Sequence, residues 1–319
     1  MIKLNSNSIG KKPGNICNLC DHNDFVLYTD IPHLERKIVK CRYCGLLTID
    51  SINGSFSTFD FEDEETRQQR YRRMLSKAEE EGKFDEDMIK REESVRTLHF
   101  KNRREEIERY VKTGKLLDIG CGRGFFLANF IGTDIDYLGI EPRKKVCKEA
   151  ERMAGENKIF CGTLKEANFS DSYFDIVTMI NLIEHLPNPK ENLKEVNRVI
   201  KKGGLLFIET PNADSFFAKI LGKRWHAFLE REHHYFFTKI TLKRILKDTG
   251  FTIKKIRTGN KLFSIRYLLY RLNWYTKTVP FYLNKALGKT NLLNKTLRIP
   301  QIDELIVMAE KVTDLPPSM

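Results

Sequence analysis

Residues 116–127 of the chain have the sequence LLDIGCGRGFFL, and this stretch decides which fold the sequence predicts. It begins as an apolar run that carries a single acid, Asp118. Three glycines follow: Gly120, Gly122 and Gly124. Glycine suits positions where the backbone turns sharply and a ligand comes close to it. The next residues, through Phe130, form an amphipathic pattern, so the stretch predicts a strand, a tight turn and a helix.

A second short apolar run ends in an acid at the spacing of a nucleotide-binding unit. This run is YLGIEP (137–142), and Glu141 lies at its end. In α/β folds that bind nucleotides, an acid about 20 residues beyond the glycine turn accepts hydrogen bonds from ribose hydroxyls. We therefore predict that Glu141 binds a ribose. The alternative is a surface glutamate at the end of a strand.

Strand and helix patterns alternate along the rest of the chain. Three apolar runs are typical of strands that are buried on both faces: KIFC (158–161), FDIVTMI (174–180) and LLFIET (205–210). Two segments have helical apolar spacing: 189–201 and 238–249. The last two strand patterns are FTIKKIRT (251–258) and ELIVMAEK (304–311). This alternation predicts a parallel α/β sheet.

With these motifs the chain resembles the class I S-adenosylmethionine (SAM) methyltransferases over about 111–258 and 304–311. Their first motif is an apolar strand, an acid and a Gly-Cys-Gly-x-Gly turn, which residues 118–124 match. Two later segments resemble the subgroup of ubiquinone-biosynthesis and sugar methyltransferases: NLIEHLPNP (181–189) and ETPN (209–212). The resemblance implies an α/β, Rossmann-like sheet of seven strands that is mostly parallel, with 304–311 as the last, antiparallel strand.

The same resemblance implies that SAM binds at the carboxyl ends of the strands of this sheet. Ligands of open α/β sheets bind at that edge, near the point where the strand order reverses. The residues that the resemblance assigns to SAM are Asp118, Gly120, Cys121, Gly122, Gly124, Glu141, Pro142, Gly162, Thr163 and Asn181.

Methyl transfer from SAM mainly requires that the two reactants be held in line. An oxygen acceptor of high pKa also needs a general base whose pKa is near neutral, and histidine is the natural candidate. We predict His185 as the first candidate, then His234 and His233, because all three are expected at the carboxyl edge of the sheet. Glu184 could orient a histidine or bind a cation. The alternative for each histidine is a purely structural role.

The N-terminal segment contains two pairs of cysteines: Cys17-x-x-Cys20 and Cys41-x-x-Cys44. Two such pairs at this spacing predict a structural Zn²⁺ site of the zinc-ribbon type. Two disulfides or a redox pair are the alternatives. The first 15 residues have no apolar core of the kind a secretion signal has, so we expect a cytoplasmic chain with reduced thiols. The resemblance adds that many bacterial sugar and glycan methyltransferases carry such a ribbon.

Three further cysteines lie in the catalytic part of the sequence. Cys121 belongs to the glycine turn, and we expect Cys147 and Cys161 to be small core residues.

Length and composition fit a catalytic domain with a small accessory domain. The chain has 319 residues, of which 41% are hydrophobic, and no run approaches the ~18 apolar residues of a membrane-spanning helix. We predict a zinc ribbon at 1–52, a helical linker or lid at 53–112 and a methyltransferase domain at 113–319.

The net charge of +12 is concentrated in residues 254–298, which contain Lys and Arg but no Asp or Glu. We predict a basic, aromatic and helical insertion at 260–300. It could bind an anionic or lipid-linked acceptor, the inner membrane surface as a peripheral contact, or nucleic acid. Alternatively, its aromatic residues pack on the domain while its lysines stay in water. Nucleic acid is the least expected partner, because no RNA-binding signature is present.

From these features we predict a SAM-dependent methyltransferase that O-methylates a sugar or a glycan-biosynthesis intermediate, for example in polysaccharide biosynthesis. The alternatives are an enzyme acting on an isoprenoid or phenolic small molecule, an RNA methyltransferase and a non-catalytic SAM-binding protein. The intact motif residues Asp118 and Glu141 argue against the last. The segment after the fourth strand lacks the Asn/Asp-Pro-Pro-aromatic motif of enzymes that methylate amino groups of nucleic acids.

Overall fold

The computed structural model describes residues 16–50, 86–265 and 291–315, together with a few single positions between 269 and 287. The chain divides into two compact units. The larger unit comprises 1–61, 110–259 and 302–319. The second unit comprises 62–109 and 260–301. Most of the predicted basic insertion and the first part of the predicted lid therefore lie outside the described residues.

The regular elements, in chain order, are eleven strands and seven α-helices. The strands are β1 (Phe25–Ile31), β2 (Arg36–Cys41), β3 (Leu47–Ile49), β4 (Gly114–Ile119), β5 (Ile135–Glu141), β6 (Ile159–Cys161), β7 (Phe174–Ile180), β8 (Ile200–Pro211), β9 (Tyr235–Phe236), β10 (Phe251–Ser264) and β11 (Thr296–Lys311). The helices are α1 (Glu86–Ile107), α2 (Lys144–Ala154), α3 (Leu164–Ala167), α4 (Pro189–Val199), α5 (Phe216–Leu221), α6 (His226–Leu229) and α7 (Lys239–Asp248). These counts refer to the described residues.

Seven strands form one sheet in the order β10-β11-β8-β7-β4-β5-β6. β4, β5, β6, β7 and β8 run parallel to one another, and β11 is antiparallel to β8. β7 is apolar along nearly its whole length and mostly buried, as expected of a central strand between β4 and β8. The predicted seven-stranded Rossmann-like sheet with an antiparallel last strand is confirmed.

The sequence prediction of a helix after the glycine turn is wrong in length and type. Only one turn of 3₁₀ helix forms there, at Leu127–Phe130. The side-chain amide of Asn129 donates to the carbonyl of Phe125 (2.7 Å), and Thr133 N–H closes the segment on Phe130 O (3.1 Å). Gly132 follows with a positive φ of 76°. The hydrogen bonds from side chains to the backbone and the left-handed conformation of Gly132 end the helix early.

Two further expectations also need correction. Cys147 and Cys161 are joined by a disulfide, and Cys161 is exposed rather than part of the core. Its exposure follows from its place at the end of β6, the outermost strand of the sheet. The predicted insertion 260–300 is not helical at its ends, because β10 continues to Ser264 and β11 begins at Thr296.

A second, smaller sheet, here the cysteine sheet, lies beside the N-terminal cysteines, of which Cys41 ends its strand β2. Its strand order is β1-β2-β3-β9, so the fourth strand comes from the part of the chain that follows β8. β3 and β9 are antiparallel, with Leu47 opposite Phe236 and Thr48 opposite Tyr235. One hydrophobic core contains residues of both sheets. No helix among the described residues is long and apolar enough to cross a membrane.

Candidate active site

The glycine turn after β4 adopts a backbone that only glycine enters without strain. Gly122 and Gly124 have φ of 53° and 78°. A Cβ at Gly124 would lie 2.9 Å from the carbonyl oxygen of Ala150, so this glycine allows α2 to pack closely. A Cβ at Gly122 would meet no atom within 4 Å. The turn thus presents open space beside a bare backbone at Gly122, as a bound nucleotide requires.

Glu141 lies at the end of β5, beside the glycine turn. Its carboxylate is buried and accepts the N–H of Gly122 (3.1 Å) and the Nε–H of Arg143 (2.7 Å). The backbone N–H of Arg143 donates to it as well (3.1 Å). This carboxylate therefore joins the glycine turn to the end of β5, at the strand edge where the ribose of a nucleotide is expected.

Asp118, inside β4, is a buried acid with one hydrogen-bond donor beside it. Its side chain is 3% exposed, and Thr178 Oγ1 donates to its Oδ1 (2.6 Å). Burial raises the pKa of Asp118 to about 7, and the neighbouring Glu141 acts in the same direction. Asp118 is therefore poised between its two protonation states near neutral pH, and a cation beside it would favour the ionised form.

The other residues assigned to SAM lie along the same edge. Cys121 N–H donates to Ile140 O (2.9 Å), and Gly162 N–H donates to Glu141 O (3.1 Å). Asn181 follows β7 in the left-handed region, with φ of 50°. Thr163 caps the N-terminus of α3 through a capping box. Pro142 is half-buried and directly follows Glu141. The structure thus brings the ends of β4, β5, β6 and β7 together as the sequence predicted.

The three predicted histidines come from two segments that are far apart in sequence and adjacent in space. A 3₁₀ turn, Ile183–His185, follows β7, and residues 230–234 precede β9. His234 N–H donates to Glu184 O (2.8 Å), and the rings of His185 and His233 are 4.6 Å apart in an edge-to-face arrangement. We call residues 230–234 the histidine loop.

Two backbone carbonyls fix the imidazole rings. His185 Nδ1 is 3.0 Å from Glu232 O, and His233 Nδ1 is 3.0 Å from Ala227 O. A carbonyl only accepts, so in each neutral ring the proton belongs on Nδ1 and Nε2 keeps its lone pair. Burial, helped by the nearby His185, lowers the pKa of His233 well below its usual range. His233 is therefore a neutral, buried ring, whereas His185 and His234 are only half-buried.

Glu184, in the 3₁₀ turn beside the histidine loop, is almost fully buried. Its Oε2 accepts the hydroxyl proton of Thr210 at the end of β8 (2.9 Å). One side-chain oxygen of Glu184 and one ring nitrogen each of His185 and His233 lie within 4.8 Å of one another. A carboxylate and two imidazoles at such distances can hold a divalent cation or orient one another, the two roles predicted for Glu184.

Arg36 is a site residue that the sequence did not reveal. It begins β2, 9% exposed, and its Nη1 and Nη2 donate to the carbonyls of Glu230 and His233. These contacts connect the N-terminal cysteine sheet to the histidine loop. An arginine in a strand-like run gives no signal for such a contact, because the two segments are distant in sequence and the acceptors are backbone atoms.

The four N-terminal cysteines converge as predicted. Cys17 Sγ is 3.4 Å from Cys44 Sγ, and Cys20 Sγ is 3.6 Å from Cys41 Sγ. All four sulfurs lie within 4.8 Å of one another. This is the ligand number and ligand type of a tetrahedral Zn²⁺ site.

Comparison with known proteins identifies the family. A family model described as a methyltransferase domain matches residues 64–256, more than half of the chain. An uncharacterized protein of Methanocaldococcus jannaschii is 30% identical over 171 residues, which cover 51% of this chain and 76% of that protein. A ubiquinone biosynthesis O-methyltransferase of Leptothrix cholodnii is 26% identical over 155 residues, 45% of this chain and 66% of that enzyme.

Among solved structures, a SAM-dependent methyltransferase from Archaeoglobus fulgidus is similar, with 26% identity and a TM-score of 0.49 over 71% of this chain and 100% of that chain. The chain spans between 52% and 66% of the length of the first three ubiquinone biosynthesis enzymes that it matches. The family match agrees with the strand order and with the glycine turn beside Glu141. The chain therefore belongs to the methyltransferase-domain family, that of the class I SAM-dependent methyltransferases.

Proposed function

We propose that the chain transfers the methyl group of SAM to a hydroxyl oxygen of a small molecule, with the acceptor beside His185. One observation carries this proposal: the glycine turn follows β4, Glu141 ends β5 and His185 follows β7, so all three lie at the carboxyl edge of one sheet, with the His233 ring 4.6 Å from that of His185. Bound SAM supplies a methyl group that is already activated by a positively charged sulfur. The residues of the chain then have to bind it, orient the acceptor and remove a proton.

The residues at the glycine turn suit SAM. The carboxylate of Glu141 would accept hydrogen bonds from the ribose hydroxyls, and Gly122 leaves room for the nucleoside beside its backbone. Asp118 lies close to Glu141, and its ionised carboxylate would attract the positively charged part of SAM. We propose that the other residues assigned to SAM in the sequence analysis also bind it.

His185 is the proposed general base. Its Nδ1 proton is held by Glu232 O, which leaves Nε2 to accept a proton from the acceptor hydroxyl. His234 is the second candidate, since it is also half-buried and its backbone is bonded to Glu184 O. His233 is the weakest candidate as a base and the better one for orienting His185, because burial keeps it neutral. Glu184 would orient these rings or hold a cation with them.

A hydroxyl-rich acceptor fits the polar character of this edge. Glu184, Thr210, Asn212 and His233 are buried there, which supports a sugar or glycan-biosynthesis intermediate. A second candidate is a phenolic or isoprenoid small molecule, because several relatives are named ubiquinone biosynthesis O-methyltransferases. We further propose that residues 260–300 bind an anionic or lipid-linked acceptor or make a peripheral contact with a membrane. We also propose a cytoplasmic location.

We also propose that Cys17, Cys20, Cys41 and Cys44 bind one structural Zn²⁺ per chain. Four thiolates close the coordination shell, so the metal would have no open position for substrate. The spacing of the four sulfurs supports this assignment.

The test is methyl transfer from SAM labelled with tritium in the methyl group. Purified protein is incubated with nucleotide sugars, with catechols and polyprenyl phenols, and with total RNA and protein as separate acceptors. Label in the first group supports the sugar proposal, and label in the second supports the phenolic alternative. Label in RNA or protein, or none in any group while SAM binds, contradicts the proposed function. The double variant His185→Ala, His234→Ala is the control for a reaction at this site.

A further inference from the structure

The histidine loop is held between two surfaces of the larger unit. On one side lies the turn after β7, through the bond from His234 N–H to Glu184 O (2.8 Å). On the other side lies the cysteine sheet: the N–H of Ile49 (3.1 Å) and the hydroxyl of Thr48 (3.0 Å) both donate to His234 O. The loop thus depends on the N-terminal segment for part of its hydrogen bonding.

Arg36 makes the most direct connection between the cysteine sheet and the loop. Its two guanidinium nitrogens donate to the carbonyls of Glu230 and His233, and the guanidinium carbon lies 5.6 Å from the ring centroid of Phe236. Burial lowers the pKa of Arg36 to about 10, so the group stays charged at neutral pH. A planar, charged fork of this kind fixes two acceptors at once.

The two carbonyls that Arg36 holds lie on either side of Glu232 in the chain. The carbonyl of Glu232 is the acceptor that places the Nδ1 proton of His185. Only two peptide units separate the two anchored carbonyls, and one of them carries Glu232 O. A guanidinium that holds Glu230 and His233 therefore also fixes the position of Glu232 O. If the loop shifts, His185 loses the contact that keeps its Nε2 free.

We propose that Arg36 is a positioning residue of the acceptor site, which acts on His185 through the histidine loop. This inference rests on the proposed function, because it takes His185 as the base. It gives the cysteine sheet a part in catalysis: the sheet supplies the group that sets the orientation of a histidine in the catalytic part. The described contacts of Arg36 are with the loop and Phe236, and none is with the glycine turn or Glu141, so binding of SAM should not depend on it.

The experiment compares Arg36→Ala with Lys37→Ala, the next residue of β2, which is exposed. For Arg36→Ala we expect kcat to fall at least tenfold, with the Kd of SAM within twofold of wild type. Added methylguanidinium should restore part of the lost rate, whereas it cannot restore a chain that is merely destabilised. Lys37→Ala should match wild type in each measurement. If Arg36→Ala does not fold, Arg36→Lys, which keeps the charge but not the fork, should show the same loss of kcat.

A second readout does not need an acceptor. The ¹⁵N signals of the His185 ring, assigned by their absence in His185→Ala, report whether Nδ1 or Nε2 carries the proton. Arg36→Ala should mix the two tautomers, and Lys37→Ala should not. In the His185→Ala background, Arg36→Ala should lower kcat little further, because both changes act on one group.

The outcomes separate the two proposals. If no acceptor is methylated but the ring signals of His185 change in Arg36→Ala, the proposed function fails and the positioning contact stands. If the ring signals and kcat both stay at wild-type values, the assignment of Arg36 is overturned. An equal loss of SAM affinity, or a loss of kcat without any change at His185, also overturns it.

Discussion

The pKa of Asp118 predicts that SAM binding depends on pH. The carboxyl group is buried and its pKa is raised to about 7, mainly by burial, whereas the usual value is 3.8. SAM carries a permanent positive charge on sulfur and a protonated amine near neutral pH. A cation beside Asp118 stabilises the ionised carboxylate, so the protonated form has to release its proton when SAM binds.

The size of the effect follows from the pKa. With a pKa of about 7, roughly 10% of Asp118 is ionised at pH 6 and roughly 90% at pH 8. If SAM binds only the ionised form, its Kd should be about tenfold higher at pH 6 than at pH 8, which corresponds to about 1.4 kcal/mol. Near pH 7, binding should release about half a proton per site.

Isothermal titration calorimetry tests this prediction directly. Titrations in buffers of different ionisation enthalpy give the number of protons released, and a pH series gives the Kd. Asp118→Asn is the control, because its amide oxygen can still accept the hydroxyl proton of Thr178 but its side chain does not titrate. The ratio of wild-type to variant Kd removes the titration of the SAM amine itself. A ratio that stays constant from pH 6 to pH 8, with no proton released, would refute the reasoning.

The same pKa fixes the sign of a stability effect in the free protein. The folded chain keeps the Asp118 proton up to about pH 7, whereas the unfolded chain gives it up near 3.8. Unfolding therefore releases a proton between these values, and the free energy of unfolding should fall as the pH rises through this window. Asp118→Asn should flatten that part of the profile in thermal unfolding.

Three further predictions concern the ribose acid, the base and the metal. Glu141→Ala should weaken SAM binding at least tenfold, because each charge-assisted hydrogen bond to the ribose contributes roughly 1.5–3 kcal/mol; an unchanged affinity in calorimetry would remove the ribose assignment. His185→Ala and His234→Ala should leave SAM affinity nearly unchanged, and at least one should lower kcat by about 10²–10⁴-fold. Wild-type turnover in both variants would mean that neither histidine is the base. Metal analysis should find one Zn²⁺ per chain, and the Cys44→Ser variant should lose it. Chelation should loosen the small sheet, because a structural zinc supplies folding energy directly. Cysteines paired as disulfides, without zinc, would contradict this assignment.

Local sequence patterns determined the catalytic sheet. A strand buried on both faces needs an uninterrupted apolar run, and FDIVTMI became β7 residue for residue. The turn after β4 needs left-handed backbone, which Gly120, Gly122 and Gly124 accept without strain. These features depend on neighbours along the chain, so the sequence alone was sufficient to predict them. The convergence of the four cysteines also followed from their spacing.

Only the tertiary structure decided which groups meet at the site. The histidine loop and the turn after β7 are distant in sequence, and their contact depends on how β8 and β9 are arranged in space. Arg36 acts on backbone carbonyls, which every residue has, so no residue pattern marks its partners. The raised pKa of Asp118 and the lowered pKa of His233 come from burial, a property of the folded chain. The exposure of Cys161 likewise follows from the edge position of β6, which the order of strands along the chain does not reveal.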